Sequence, residues 1–303
     1  MSQHDHHHHS HELKGQNLFI AIILNIAITV GQVVTAIISG SLALLSDALH
    51  NFSDVLALVI SYVANQLIQR KNTPSKTFGF KRAEIIAAFV NSATLIVIAV
   101  FLIKEAVQRF VEPQEIDAFW VIAMGGFSVV ANGLSVILLH QDSSKNINIR
   151  SAYLHLFTDM LSSVAVLVGG VLIYFYKIYW VDPLLSISIA FYLIYSSWSI
   201  FITSLKILMQ FTPPDLKCED ISAEIEKFEE IKNVHHTHLW QLNEGIIHFE
   251  AHLEFRDDLK LSEAYLIMMD IETLLKEKFK ITHITLQPEH GSDDEHKLIV
   301  QDY

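Results

Sequence analysis

The stretch Leu42–Leu67, LALLSDALHNFSDVLALVISYVANQL, decides how the rest of the chain is read. It is apolar enough, and long enough, to cross a hydrocarbon core of about 30 Å, which takes around 20 helical residues. Inside it stand Asp47, His50 and Asp54 at intervals of three and four, which places all three on one face of a helix. A carboxylate near mid-membrane costs about 2.5–3.5 kcal/mol on insertion scales. A span that keeps several ionisable groups at such a cost is expected to use them.

The same pattern occurs a second time. SAYLHLFTD, Ser151–Asp159, gives His155 and Asp159 the interval of four that separates His50 from Asp54. One such pair could simply join two helices by a His–Asp hydrogen bond, but the repetition of the pair argues for a shared site. Together they offer two imidazole nitrogens and two carboxylates, which suit a tetrahedral ion and balance a divalent charge. Nitrogen ligands favour zinc, cobalt or cadmium over manganese, magnesium or calcium, which prefer oxygen-rich shells. Histidine binds metal only when neutral and titrates near pH 6.5, so protonation and metal binding compete. For Asp47 a supporting contact to the ligands, a proton relay and a structural role stand open.

Outward from these two stretches, six segments read as transmembrane helices: Leu18–Ser39, Leu42–Leu67, Ile85–Ala106, Phe119–Leu139, Ala152–Tyr176 and Val181–Ile207. Leucine- and alanine-rich runs of this length favour helices over barrel strands. Composition agrees, since 51% of the residues are hydrophobic, above the usual share for a soluble protein. Arg70, Lys71, Lys76, Lys81, Arg82, Lys145 and Arg150 fill the loops on one side. That bias predicts that both termini are cytoplasmic. Tyr174, Tyr176, Tyr179 and Trp180 gather at the turn between the last two spans, at interface depth. Asn25, Asn91 and Asn132 within the spans read as helix-joining polar groups.

Beyond Phe211 the composition changes. Pro213 and Pro214 end the last helix and a charged segment begins. A helix is expected over Glu219–Ile231, strands over Asn233–Leu242 and Ile246–Phe255, a helix over Leu261–Phe279 and a strand over Ile281–Leu286. The order αββαβ suits an α+β sandwich with its helices on one face. Much of the net charge of −12 lies here, which argues against nucleic acid as a partner. Cys218 is the only cysteine, so neither an internal disulfide nor a thiolate cluster is open to the chain. The N-terminus, MSQHDHHHHSHELKG, lacks a signal-peptide pattern and reads as a disordered tail, either a native metal-gathering segment or a tag remnant.

Three rivals fit less well. An intramembrane metalloprotease commonly carries H-E-x-x-H, which the chain lacks. A membrane-anchored metal sensor leaves the ionisable pairs unexplained. A passive metal channel is hard to separate from an antiporter by sequence.

GSLALLSDALHNFSD, TFGFKRAEIIAAFVN and SAYLHLFTDMLSSVAVLVGG together resemble the cation diffusion facilitator family, most closely its zinc-transporting branch. The resemblance covers nearly all of the chain after the tail. It implies a proton-coupled zinc antiporter, not an enzyme, that works as a homodimer in a bacterial inner membrane or an equivalent cell membrane. His50, Asp54, His155 and Asp159 match the family's transport site. VHHTHLW, EAHLEF and TLQPEH place His235, His252 and Glu289 at positions that bind regulatory zinc in relatives. His236, His248, His283 and His290 are neighbours that could substitute or scavenge. Phe80 stands where some relatives have a metal-binding histidine.

The resulting expectation has four parts. Residues 1–16 form a His-rich cytoplasmic tail that could deliver metal, and 17–211 a six-helix transport domain. Residues 212–290 form a cytoplasmic ferredoxin-like domain for metal binding and dimerisation, and 291–303 an acidic tail. Zinc is the expected cargo and regulatory ligand, with protons as coupling ion and the lipid bilayer as surroundings. Broader export of cobalt or cadmium is the alternative.

Overall fold

A computed structural model describes residues 9–143, 147–292 and 297–300. Six long helices come first: α1 His9–Ser39, α2 Leu42–Ile68, α3 Ala83–Val111, α4 Ala118–Ser143, α5 Ile147–Tyr176 and α6 Val181–Leu208. Among the described residues, α2 to α6 each contain a stretch long and apolar enough to cross a membrane, and α1 contributes the apolar segment Asn25–Ser39. The chain is a multi-pass helical membrane protein. The described part of the N-terminal segment expected to be disordered, residues 9–16, is drawn into α1. The histidines of residues 1–8 lie outside the described residues.

The chain forms two compact units. One contains the described residues up to Ile60 together with Val90–Ser199; the other contains Ser61–Phe89 together with the described residues from Ile200 onward. In the first unit α2 is shared between two apolar clusters. Leu44 and Ala43 pack with Ile28 and Ala36 of α1, Val121 and Ala131 of α4 and Val166 of α5. Leu42 packs with Leu95, Ala99 and Leu102 of α3 and with Ala190 and Leu193 of α6. Helices α4 and α5 approach closely at Gly125, where a Cβ would lie 3.2 Å from the Leu167 backbone.

The start of α2 is held from three sides. Ser41 caps it, accepting a hydrogen bond from Leu44 N–H (3.1 Å). Asp182, at the start of α6, accepts from Leu42 N–H (2.8 Å), Ala43 N–H (3.2 Å) and Ser41 Oγ–H (2.5 Å). A carboxylate at a helix N-terminus satisfies unbonded N–H groups and meets the positive end of the helix dipole. Arg109 of α3 completes the joint, donating to Gly40 O at 2.5 Å and standing 3.8 Å from Asp182.

In the second unit the order αββαβ is observed: α7 Cys218–Ile225, β1 Ile231–Asn243, β2 Ile246–Phe255, α8 Leu261–Phe279 and β3 His283–Glu289. The sheet order is β1-β2-β3, with β2 antiparallel to β1 and parallel to β3. Ile221 and Ile225 of α7 and Ile271 and Leu275 of α8 join Phe249, Ala251 and Leu253 of β2 in one core, so both helices cover the same face of the sheet. Helix α7 stops six residues before the expected Ile231. Tight turns close it, Lys227 N to Glu224 O and Phe228 N to Ile225 O, because Ile231 is taken into β1 opposite Phe255. Strand β3 runs on to Glu289, since its register with β2 continues to Glu254. Residues 297–300 return to β1, where Leu298 O accepts from Thr237 N–H at 2.8 Å.

Candidate metal centre

One helical turn separates His50 from Asp54 on α2, and one separates His155 from Asp159 on α5. The two helices bring the four side chains into a ring. His50 Nε2 lies 3.8 Å from Asp54 Oδ2 and 3.4 Å from Asp159 Oδ1. His155 Nε2 lies 3.4 Å from Asp54 Oδ2 and 3.5 Å from Asp159 Oδ2. These distances exceed ordinary N–H···O hydrogen bonds. They approach the edge of a zinc tetrahedron, since bonds of about 2.0–2.2 Å set neighbouring ligands roughly 3.3–3.6 Å apart. Among the described residues His50, Asp54 and Asp159 form one of two clusters able to hold a metal ion, and His155 closes the ring.

Exposure is uneven around the ring. Asp159 and His50 are buried, whereas the His155 side chain is 41% exposed. Both Asp159 oxygens and Asp54 Oδ2 are shielded from solvent and accept no hydrogen bond. A buried carboxylate with only imidazoles beside it suits a cation between them. A cavity of about 280 Å³ leads from His50 past Thr158, Ser162, Ser188 and Tyr192. It follows α5 toward its C-terminal half and α6 toward its start, and the Tyr192 ring meets His50 edge-on at 6.0 Å.

Asp47 stands outside the ring. It accepts hydrogen bonds from Gln32 Nε2 (2.5 Å), Ser162 Oγ (2.5 Å) and Ser163 Oγ (3.4 Å). Gln32 in turn accepts from Asn51 Nδ2 at 2.8 Å. Asp47 thus braces α1, α2 and α5 one turn from His50. Sequence reasoning missed Gln32, Asn51 and the two serines, because neutral polar groups in a span carry no spacing signature. Of the asparagines read as helix-joining, Asn91 accepts a 3.4 Å hydrogen bond from Ser53, linking α3 to α2.

The second cluster lies on the sheet. His235 and His252 face each other across β1 and β2. His235 Nε2 is 3.2 Å from Glu289 Oε2, and His252 Nδ1 is 2.8 Å from Glu289 Oε1. A bulge with His236 at φ +50° swings that ring to 4.6 Å from the His252 ring. The other histidines fall elsewhere. His248 and His283 pair with each other, and His290 Nδ1 lies 3.2 Å from Phe255 O.

Residues 18–209 match the family model described as the cation efflux transmembrane domain, and residues 213–291 the one described as the cation efflux protein cytoplasmic domain. The chain belongs to the cation efflux family. Family members at full-length similarity include a cadmium, cobalt and zinc/H(+)-K(+) antiporter of Bacillus subtilis, 37% identical over 94% of this chain and 94% of its own length. Zinc transporter ZitB of Pectobacterium atrosepticum is 35% identical over 96% and 91%. The metal cation efflux system protein CzcD of Cupriavidus metallidurans is 30% identical over 92% and 89%. Like these cation efflux relatives, the chain is a transporter and not an enzyme.

Proposed function

We propose that the chain exports divalent metal from the cytoplasm, zinc first, through His50, Asp54, His155 and Asp159, in exchange for protons. The observation that carries this reading is the ring of four His–carboxylate distances between 3.4 and 3.8 Å. Two carboxylates neutralise a divalent ion, and two imidazoles set the preference for zinc, cobalt or cadmium. Export then needs the site to open to each side in turn, at a fixed depth. A proton that takes the place of the metal on His50 or His155 drives release, which couples the two fluxes. The relatives' names, zinc transporter and H(+)-K(+) antiporter, support the cargo and the coupling.

His235, His252 and Glu289 serve in this reading as a regulatory zinc site. A homodimer is supported by the cytoplasmic-domain match and by the exposed apolar face of α8, with Leu261, Tyr265, Leu266 and Met269. The basic loops support cytoplasmic termini. Asp47 holds the helices that bear the ligands.

The test is zinc flux into vesicles reconstituted with the purified chain, under an imposed pH gradient. His50→Ala and Asp159→Ala are expected to abolish it. Undiminished flux in both variants would remove the site, and flux indifferent to the gradient would leave a passive channel in place of an antiporter.

A further inference from the structure

The second unit contains a cavity that metal transport leaves unused. It measures about 360 Å³ and is walled by Phe78, Lys81, Arg82, Gln210, Trp240 and His248. Phe78 meets the His248 ring edge-on at 5.3 Å, and Trp240 stacks on it at 4.9 Å. The loop that brings Phe78, Lys81 and Arg82 to one cavity turns at Gly79, whose φ is +64°. That left-handed backbone favours glycine, and a Cβ there would also displace the Asn72 side chain, whose Oδ1 lies 2.6 Å away.

Two polar atoms of this wall lack partners. His248 is 2% exposed and its Nε2 has no hydrogen-bond partner; Arg82 Nε is also buried without one. A buried polar atom left unsatisfied costs about 1–3 kcal/mol; Arg82 Nε is a donor, and His248 Nε2 is one in its Nε2–H tautomer, so an acceptor in this cavity satisfies both. Burial, aided by His283 and Arg82, holds the His248 pKa below the usual histidine value. The imidazole is then neutral at pH 7, and the positive charge of the cavity comes from Lys81 and Arg82. Those two cations disfavour a metal ion. Among the described residues no carboxylate joins His248 and His283 in a metal-holding cluster.

An anion with an apolar body satisfies both features. Arg82 immediately precedes α3, and Gln210 follows α6 by two residues. Both helices are of membrane-crossing length, so the cavity lies at the depth of the lipid headgroups. Basic side chains at that depth attract anionic lipids, and aromatic rings favour the same layer. We propose that this cavity is a binding site for the phosphate headgroup of an anionic phospholipid, with Arg82, Lys81 and His248 on the phosphate and Phe78 and Trp240 against the glycerol and first methylenes.

The test uses the full chain in detergent, with Trp240 fluorescence followed against Trp240→Phe as the reference for that signal. The probes are short-chain phosphatidylglycerol, short-chain phosphatidylcholine and inorganic phosphate. Phosphatidylglycerol is expected to give a saturable change, weakened about tenfold or more by Arg82→Gln and partly kept by Arg82→Lys. If Arg82→Gln lowers the melting temperature of the lipid-free chain, Lys81→Gln takes its place and must weaken binding as well. Equal binding of phosphatidylcholine, or binding indifferent to these variants, would overturn the proposal. Inorganic phosphate binding as well as the lipid would overturn the headgroup assignment.

Discussion

His50 Nε2 on α2 lies 3.4 Å from Asp159 Oδ1 on α5, and His155 Nε2 on α5 lies 3.4 Å from Asp54 Oδ2 on α2. The contacts between helices are as short as those within them. In the proposed site a cation at the centre would be held by both helices at once, and a motion that parts them would draw it away from the two ligands of one helix.

Asp159→Asn keeps the shape but removes one of two charges facing a divalent ion. Zinc flux in vesicles is expected to fall by about a hundredfold or more, equivalent to roughly 3 kcal/mol at the site, with the folded yield unchanged. Flux within a factor of two of wild type would argue against Asp159 as a ligand. In His50→Asp, oxygen replaces nitrogen, and competition assays are expected to show zinc losing ground to manganese.

Asp47 separates bracing from metal binding. Asp47→Asn keeps one acceptor oxygen for Gln32 or Ser162, whereas Asp47→Ala leaves their buried donors unmatched, at about 1–3 kcal/mol. The Ala variant is expected to melt at a lower temperature than Asn, while equilibrium zinc binding by the Asn variant stays near wild type. A loss of binding in Asn as large as that of Asp159→Asn would make Asp47 a ligand.

The joint at Asp182 predicts a change in stability. Asp182→Ala removes the acceptor for two backbone N–H groups at the start of α2 and leaves Arg109 with Glu105 as its one remaining carboxylate neighbour among those described. Loss of a helix cap of this kind costs about 1–2 kcal/mol. Thermal melting should show it, and Asp182→Asn should recover part of it.

The His248 environment gives a pH dependence with a fixed sign. Its folded pKa is held below the unfolded value of about 6.5, so the unfolded chain binds the extra proton first. The contribution is complete above that unfolded value and is lost as pH falls through the folded one. Melting between pH 7 and pH 5 is expected to show a smaller decline in His248→Phe than in wild type. An equal decline in both would place the titration elsewhere.

Much of this was legible from spacing alone. The interval of four in each H-x-x-x-D pair fixes two ligands on one helix face, and the alternation in Ile247–Phe255 assigns the buried side of β2. What spacing cannot carry is contact between distant elements. Asp182 reads as an acidic residue at a span end, and nothing local says that it caps α2, about 140 residues earlier in the chain. Gln32 and Ser162 likewise gain meaning only through Asp47, which none of their neighbours announces. Helix periodicity continues to Ile231, but α7 ends at Ile225 because tertiary pairing with Phe255 takes Ile231 into the sheet.

The capped start of α2 also sets a lever arm. With that end pinned to α3 and α6, His50 lies eight residues, about 12 Å, along the helix, and Ile68 about 39 Å. A swing of about 10° about the pinned end displaces His50 by roughly 2 Å and Ile68 by roughly 7 Å. Two ångströms would be enough to break a coordination bond in the proposed site, so a small tilt about the joint at Asp182 would release the ion at one depth while moving the far end of the same helix much further.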